Sequence, residues 1–231
     1  MEELSRTIAL LGEENVEKLK SKKVIVFGVG GVGGYTVEAL ARTGIGQIDV
    51  VDNDEVSLSN INRQIIALHS TVNRKKVDVI KERIYDINKS IIVNAYDMFL
   101  TRENLEDFDL SKYDYVVDAI DTVKSKIALA EYCDKNNIKI ISSMGAGNKL
   151  NPCAFKVDDI YKTSVCPLAK AVRTQLKKLG VSKLKVVYSD EPPVVEGTRD
   201  DGKRVPASCA FIPPVVGLII ASEVVKDLIL I

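Results

Sequence analysis

Three observations predict a Rossmann-like α/β fold, with a mostly parallel sheet carrying helices on both faces and extended by short antiparallel strands in the C-terminal part. Residues 23–54 run apolar strand, glycine turn, helix, apolar strand and acidic end. Alternation of strand and helix continues to residue 145, as a layered α/β sheet requires. The apolar fraction, 46% of 231 residues, supports a full core.

The alternating part is expected to hold strands over 23–28, 47–52, 91–96, 114–118 and 138–143. Helices are expected over 13–20, 32–43, 74–88 and 123–136. In the first unit, Gly28, Gly30, Gly31 and Gly33 match G-x-G-G-x-G between a strand and a helix. Such glycines permit a tight turn and let the backbone approach a phosphate, which the positive end of the helix favours. Asp52 closes the second strand about 20 residues later, where a carboxylate can hold ribose hydroxyls; Asp54 is the alternative. A nucleotide site is therefore expected, and a dehydrogenase would show the same residues.

The next segment separates the two readings. EVSLSNINRQ is followed by Arg74, Lys75 and Lys76, which open the amphipathic run VDVIKERIYDIN. A dehydrogenase has no need of this cationic cluster. An enzyme attacking the α-phosphate of ATP must neutralise a triphosphate, hold Mg²⁺ and stabilise the charge of departing pyrophosphate. Asn60 and Arg63, three apart, share a face if the segment is helical. YDYVVDAIDTVKSK reads as a strand ending in carboxylates. Asp121 falls just past the carboxyl end of that strand, where ligands bind in parallel sheets, and can hold a hard cation; Asp118 is the alternative at the same strand end.

GVGGVG, VDNDEVSLSNINRQ, Lys76 and DAIDTV, in that order, resemble the adenylyltransferases related to ubiquitin-activating enzymes, the group that includes ThiF, MoeB and HesA. The resemblance implies that Gly31 approaches the phosphates and that Asp52 holds the ribose. It implies that Asn60, Arg63 and Lys76 surround the triphosphate and that Asp121 serves Mg²⁺. Arg6, in SRTIALLG, resembles an arginine that reaches into the partner subunit's site, which implies a homodimer.

Beyond residue 145 the pattern changes. GAGNKLNP is a turn, 153–157 alternates as a short strand, and 184–189 is a further strand. Residues 167–179 form a basic helix with proline in its first turn and Gly180 after its end. Residues 191–207 hold three prolines, two glycines and mixed charge, and read either as a mobile loop near the substrate entrance or as a plain connector. The apolar tail FIPPVVGLIIASEVVKDLILI is interrupted by Glu223, Lys226 and Asp227. Its uninterrupted run falls short of the ~20 residues of a membrane span, so a core or dimer-interface helix is expected.

The 32 basic and 32 acidic residues cancel, which removes bulk attraction to nucleic acid and leaves only local patches. The polar, acidic start MEELSRT predicts no signal peptide. Cys133, Cys153, Cys166 and Cys209 are widely spaced without a C-x-x-C pair, which argues against a structural zinc and for a reduced, cytoplasmic protein. A thiol relay is conceivable at Cys209, but small buried cysteines are the commoner case. His69, the sole histidine, has no paired nucleophile motif and reads as structural.

GAGNKLNP, VDDIYKTSVCPLAK and KLKVVYSDEPP narrow the resemblance to one branch, the tRNA threonylcarbamoyladenosine dehydratases. That implies ATP-driven activation of the modified adenosine's carboxylate, ring closure by its carbamoyl group, and a partner from a cysteine-desulfurase system. The substrate would be tRNA carrying threonylcarbamoyladenosine. Lys170, Arg173, Lys177, Lys178, Lys183 and Lys185 are the candidate phosphate contacts. Activation of the C-terminal glycine of a ubiquitin-like sulfur carrier is the alternative. An NAD-linked oxidoreductase would leave Arg63 and Lys76 without a role.

Overall fold

The structure, a computed structural model, describes residues 2–200 and 203–229. Helices α1 (Ser5–Leu11) and α2 (Glu13–Lys20) lead into β1 (Lys23–Phe27), α3 (Gly33–Thr43) and β2 (Gln47–Val51). Then come α4 (Lys76–Ile87), β3 (Ala95–Tyr96), β4 (Tyr115–Asp118), α5 (Val123–Lys135) and β5 (Ile140–Ser143). The C-terminal part holds β6 (Phe155–Asp159), α6 (Pro167–Lys178), β7 (Lys185–Ser189), the hairpin β8 (Thr198–Asp200) and β9 (Lys203–Val205), and α7 (Pro213–Ile229).

One seven-stranded sheet runs through both parts in the order β3-β2-β1-β4-β5-β7-β6. All its pairings are parallel except β6 with β7. The expected fold class is therefore what forms, with the antiparallel extension at the far edge. Every residue of β1 from Val24 to Phe27 is buried, because both faces of the sheet are covered and neither needs a polar side chain. Val24 and Val26 face the core beneath α3, α4 and α7. Ile25 and Phe27 face a second core with α5 and the 98–113 segment, where the Phe27 and Phe108 rings meet edge to face at 5.5 Å.

Most element boundaries fall within two residues of expectation, and the departures have physical reasons. The strand expected over 91–96 shrinks to Ala95–Tyr96. Ile48 N–H to Ile92 O and Val50 N–H to Asn94 O, both 3.0 Å, continue its ladder upstream. As an edge segment it has pairing on one side only, and Asn94 turns its amide onto the buried Asp49 carboxylate. The N-terminal arm is helical over Ser5–Leu11, and Leu4 packs where a side chain on Gly44 would sit. The loop expected over 191–207 contains the β8–β9 pair, and residues 201 and 202 lie outside the described residues.

The apolar tail is a core helix. Gly217 of α7 lets the helix approach α3 so closely that a Cβ there would lie 2.3 Å from Val32 O, and Thr36 Oγ1 donates to Gly217 O at 3.1 Å. Among the described residues no helix is long and apolar enough to cross a membrane.

Candidate active site

A cavity of about 730 Å³ opens at the carboxyl ends of β1, β2, β4 and β5, where the sheet's parallel strands deliver their loops. The turn after β1 forms its floor. Gly28 sits at φ 89°, and a Cβ on Gly33 would lie 1.8 Å from Gly28 O, so these two positions admit only glycine. Gly28, Gly30 and Gly31 line the cavity, whereas Gly33 does not. The role of Gly33 is close packing of α3 on the turn, a correction to the grouping of all four glycines as ligand contacts. The N–H groups of Gly30, Gly31 and Val32, at the start of α3, find no acceptor among the described residues. Free N–H groups at a helix N-terminus are suited to an anion.

Asp52 ends β2 beside this turn. Its Oδ2 accepts from Val29 N–H at 2.6 Å and its Oδ1 from Asp54 N–H at 2.9 Å. Burial raises the Asp52 carboxyl above its ordinary value and outweighs the opposing pull of Lys76 and of the two backbone N–H groups. Asp54 instead carries an ion pair, Oδ2 to Lys76 Nζ at 2.7 Å.

The cationic cluster divides. Lys76, only 4% exposed, turns into the cavity. Arg74 pairs with Glu82, and Lys75 with Glu55 and Asp97, all at the surface. Asn60 and Arg63 sit on a 3₁₀ turn and its continuation, which still brings both to the cavity. Asn60 Oδ1 accepts from Ser57 N–H at 3.1 Å, which orients the amide and leaves its N–H groups for a ligand. Arg63 donates to Ser59 O and Asn62 Oδ1, both at 2.8 Å.

The two carboxylates after β4 diverge. Asp118, fully buried, pairs with Lys126 Nζ at 2.8 Å and accepts from Ser142 Oγ at 2.5 Å and Ile120 N–H at 3.2 Å. Asp121 is exposed in the cavity, and a 3.4 Å contact from Thr122 Oγ1 is its sole hydrogen bond among the described residues. Asp118 is spent on the fold and Asp121 is free. Among the described residues no three His, Cys, Asp or Glu side chains cluster as a metal cage. Mg²⁺ ordinarily takes one or two carboxylates with phosphate and water oxygens, and Asp121 fits that demand.

Arg6 is exposed on α1 and does not line this cavity. Cys133 is buried, and desolvation pushes its thiol up to about 12. Cys166 lines the cavity, but its Sγ accepts Ala169 N–H and caps α6. Cys209 is half-buried against the main core, and His69 is exposed outside the cavity.

Of the expected basic surface, Lys170, Lys177, Lys178 and Lys183 are exposed. Arg173 is not available: its guanidinium bonds Thr163 and the Ile160 carbonyl. Lys185 is engaged by Glu223 at 2.7 Å and Asp227 at 2.9 Å. Helical spacing placed Arg173 on the right face but could not show that the preceding turn caps it.

Several lining residues were not among the expected site residues. Met98, Phe99 and Leu100 form an apolar wall, and Gly145–Lys149, Pro193, Pro206 and Ser208 close the mouth. Asn148 ties that mouth together: its backbone N–H and Oδ1 bond Ala207 at 2.7 Å each, and its carbonyl takes Val194 N–H at 2.9 Å. The 191–207 segment therefore does border the entrance.

The model of the ThiF family matches residues 4–230. The tRNA threonylcarbamoyladenosine dehydratase of Bacillus subtilis is 46% identical over 99% of this chain and 95% of its own length. The crystal structure of the E. coli tRNA N6-threonylcarbamoyladenosine dehydratase TcdA in complex with ATP superposes with a TM-score of 0.91 at 34% identity, covering 99% of this chain and 94% of that one. The adenylyltransferase and sulfurtransferase MOCS3 of Culex quinquefasciatus is 38% identical, but over 56% of this chain and 30% of its own length.

Proposed function

This chain belongs to the ThiF family, and on that premise we propose that it catalyses the ATP-dependent dehydration of N6-threonylcarbamoyladenosine in tRNA. The observation that carries the reading is similarity to a dehydratase from end to end, whereas similarity to the adenylyltransferase and sulfurtransferase MOCS3 covers little more than half the chain. Activation of a carrier's C-terminal glycine, the alternative, is correspondingly weaker. We further propose that residues 1–231 form one adenylyltransferase domain, 1–145 binding nucleotide and 146–231 serving substrate and dimerisation.

In the reaction, the substrate carboxylate oxygen attacks the α-phosphate of ATP and pyrophosphate leaves. The carbamoyl group then attacks the activated acyl carbon, AMP departs with a carboxylate oxygen, and the nucleophile's proton passes to solvent. The net loss is one water, and the nucleophile is already tethered, so ring closure gains effective molarity without an enzyme thiol.

The chain's residues fit these demands. Met98, Phe99 and Leu100 offer an apolar wall to the base. Asp52 accepts ribose hydroxyls. The N–H groups at Gly30 and Gly31, with Asn60, Arg63 and Lys76, face the phosphates. Asp54 holds the Lys76 ammonium in place before the nucleotide arrives. Mg²⁺ would supply charge neutralisation of the departing pyrophosphate, and Asp121 would hold it. Arg6 would act only from a second copy, since its own cavity lies out of its contact, and a cytoplasmic homodimer working with a cysteine-desulfurase system belongs to the same reading. Lys170, Lys177, Lys178 and Lys183 would meet tRNA phosphates, giving binding that weakens with salt.

The test incubates the protein with ATP, Mg²⁺ and tRNA carrying threonylcarbamoyladenosine, followed by mild digestion and mass spectrometry of the nucleosides. ATP-dependent loss of one water from the modified adenosine is expected. Absence of that product, with adenylation of a ubiquitin-like carrier, would transfer the assignment to the alternative.

A further inference from the structure

Two buried side-chain atoms have no hydrogen-bond partner among the described residues: Gln64 Oε1 and Ser208 Oγ. Both residues line the cavity. They stand on one wall, because Asn62 Nδ2 donates to Ser208 O at 3.1 Å and binds the segment before α7 to the turn that carries Arg63 and Gln64. Gln64 N–H bonds Asn60 O at 2.9 Å, which holds its backbone on the turn. Its Nε2 lies 3.9 Å from where a Cβ on Gly30 would be, so the amide sits beside the glycine turn. Gln64 is only 7% exposed.

An unpaired buried polar atom is costly, and buried polar side chains are nearly always paired. Every other buried polar side-chain atom of the described residues is satisfied. Two exceptions on one cavity wall mark groups that a ligand completes.

The ligand must bring a donor to Gln64 Oε1. The triphosphate expected at the glycine turn has only acceptors, and the ribose hydroxyls belong at Asp52. A urea presents an N–H and a carbonyl oxygen, the complement of an amide oxygen and a hydroxyl. Resting on the dehydratase reading above, we propose that Gln64 and Ser208 form the subsite for the carbamoyl group of the modified nucleoside. Gln64 Oε1 accepts a urea N–H, and Ser208 Oγ donates to the urea oxygen. The pair orients the nucleophile against the activated carboxyl and distinguishes modified from unmodified adenosine, because a substrate lacking the urea leaves both groups unpaired. A nucleotide contact through Nε2, which lies beside the glycine turn, is the competing arrangement, and the two predict different losses.

The experiment uses the full chain with Gln64→Leu and Ser208→Ala. It measures steady-state dehydration of modified tRNA, inhibition by the same tRNA lacking the modification, and calorimetric affinity for Mg-ATP. Each variant should raise KM for modified tRNA about tenfold, the equivalent of one hydrogen bond. Inhibition by unmodified tRNA and affinity for Mg-ATP should change less than about twofold, so the preference for modified over unmodified tRNA collapses. Weakened Mg-ATP binding with unchanged KM for tRNA would overturn the proposal in favour of a nucleotide contact. Unchanged values throughout would overturn it in favour of water as the partner. If Gln64→Leu does not fold, Ser208→Ala at its half-buried position carries the same prediction. A wild-type protein that fails to dehydrate modified tRNA refutes the dehydratase reading itself, a result separable from any of these.

Discussion

The two rims of the central sheet treat charge in opposite ways. At the amino ends of the strands, polar groups pair with one another. Asp114 takes Lys22 Nζ and Lys23 N–H, both at 2.9 Å. Asp227 takes Tyr115 Oη at 2.6 Å and Lys185 at 2.9 Å, and Lys185 also meets Glu223. At the carboxyl ends, among the described residues, Asp121 has a single weak contact, the Gly30 and Gly31 N–H groups have no acceptor, and Gln64 Oε1 and Ser208 Oγ have no partner. Two ion pairs also form there: Asp54 with Lys76 at the cavity, and Asp118 with Lys126, the fully buried exception, a closed pair beneath an open site. Groups that serve folding are satisfied within the chain, and groups that serve a ligand are left incomplete.

That contrast can be broken most severely at the exception. Lys126→Met strands a buried carboxylate and should cost about 3–5 kcal/mol, read as a lower urea midpoint with unchanged slope. A drop in turnover without loss of stability would place Asp118 and Lys126 among the ligand-serving groups instead.

Lys76→Met and Asp121→Ala should show the reverse pattern. Each should lose about 10²–10³ in turnover, as removal of a transition-state charge partner typically does. The Asp54 carboxylate opposite Lys76 is 60% exposed, so the melting temperature should move little. A fully active Asp121→Ala protein would remove the Mg²⁺ assignment.

Asp227→Asn at the amino rim should cost about 1 kcal/mol, discounted because its side chain is a third exposed, and should leave KM and kcat alone. A larger effect on activity than on stability would mean that the two rims are coupled.

Titration sharpens the comparison. Burial opposes the Asp227 and Glu223 carboxylates, but their hydrogen bonds to Lys185, with Tyr115 and Lys226, hold both below the ordinary range. Their stabilisation is therefore present above the unfolded carboxylate value of about 4 and is lost as pH falls through the lower folded values. Asp52 shifts upward, so its ionised form, needed to accept ribose hydroxyls, is lost at higher pH. Acidification should weaken Mg-ATP binding before it unfolds the protein. Lys76→Met should move the binding midpoint higher still, because Lys76 is the largest of the influences that oppose the upward shift of Asp52 by burial.

The nucleotide half was legible because its signals are local. A strand, a glycine turn and a helix follow one another directly, and Gly28, Asp52, Asn60, Arg63, Lys76 and Asp121 arrive at the cavity from consecutive carboxyl ends of parallel strands. The basic face of α6 was only partly legible. Spacing groups Arg173 with Lys170 and Lys177, yet Arg173 is taken by Thr163 in the preceding turn. Gln64, the last residue of EVSLSNINRQ, was given no role beside Arg63, because an uncharged amide in a turn has no pattern of its own.

The order of elements, the glycine turn and the acidic strand ends were determined by the sequence alone, because period, propensity and chain neighbourhood act over a few residues. Tertiary structure alone decided which member of each charged pair is free. Asp118 and Asp121 lie three residues apart, and only the arrival of Lys126 from α5 and Ser142 from β5 closes one and leaves the other open. It likewise decided that Lys76 turns into the cavity while Lys75 pairs at the surface, and it left the Gln64 oxygen unpaired among the described residues. Whether a polar group is satisfied depends on partners distant in the chain, and those distances are fixed only when the sheet has formed.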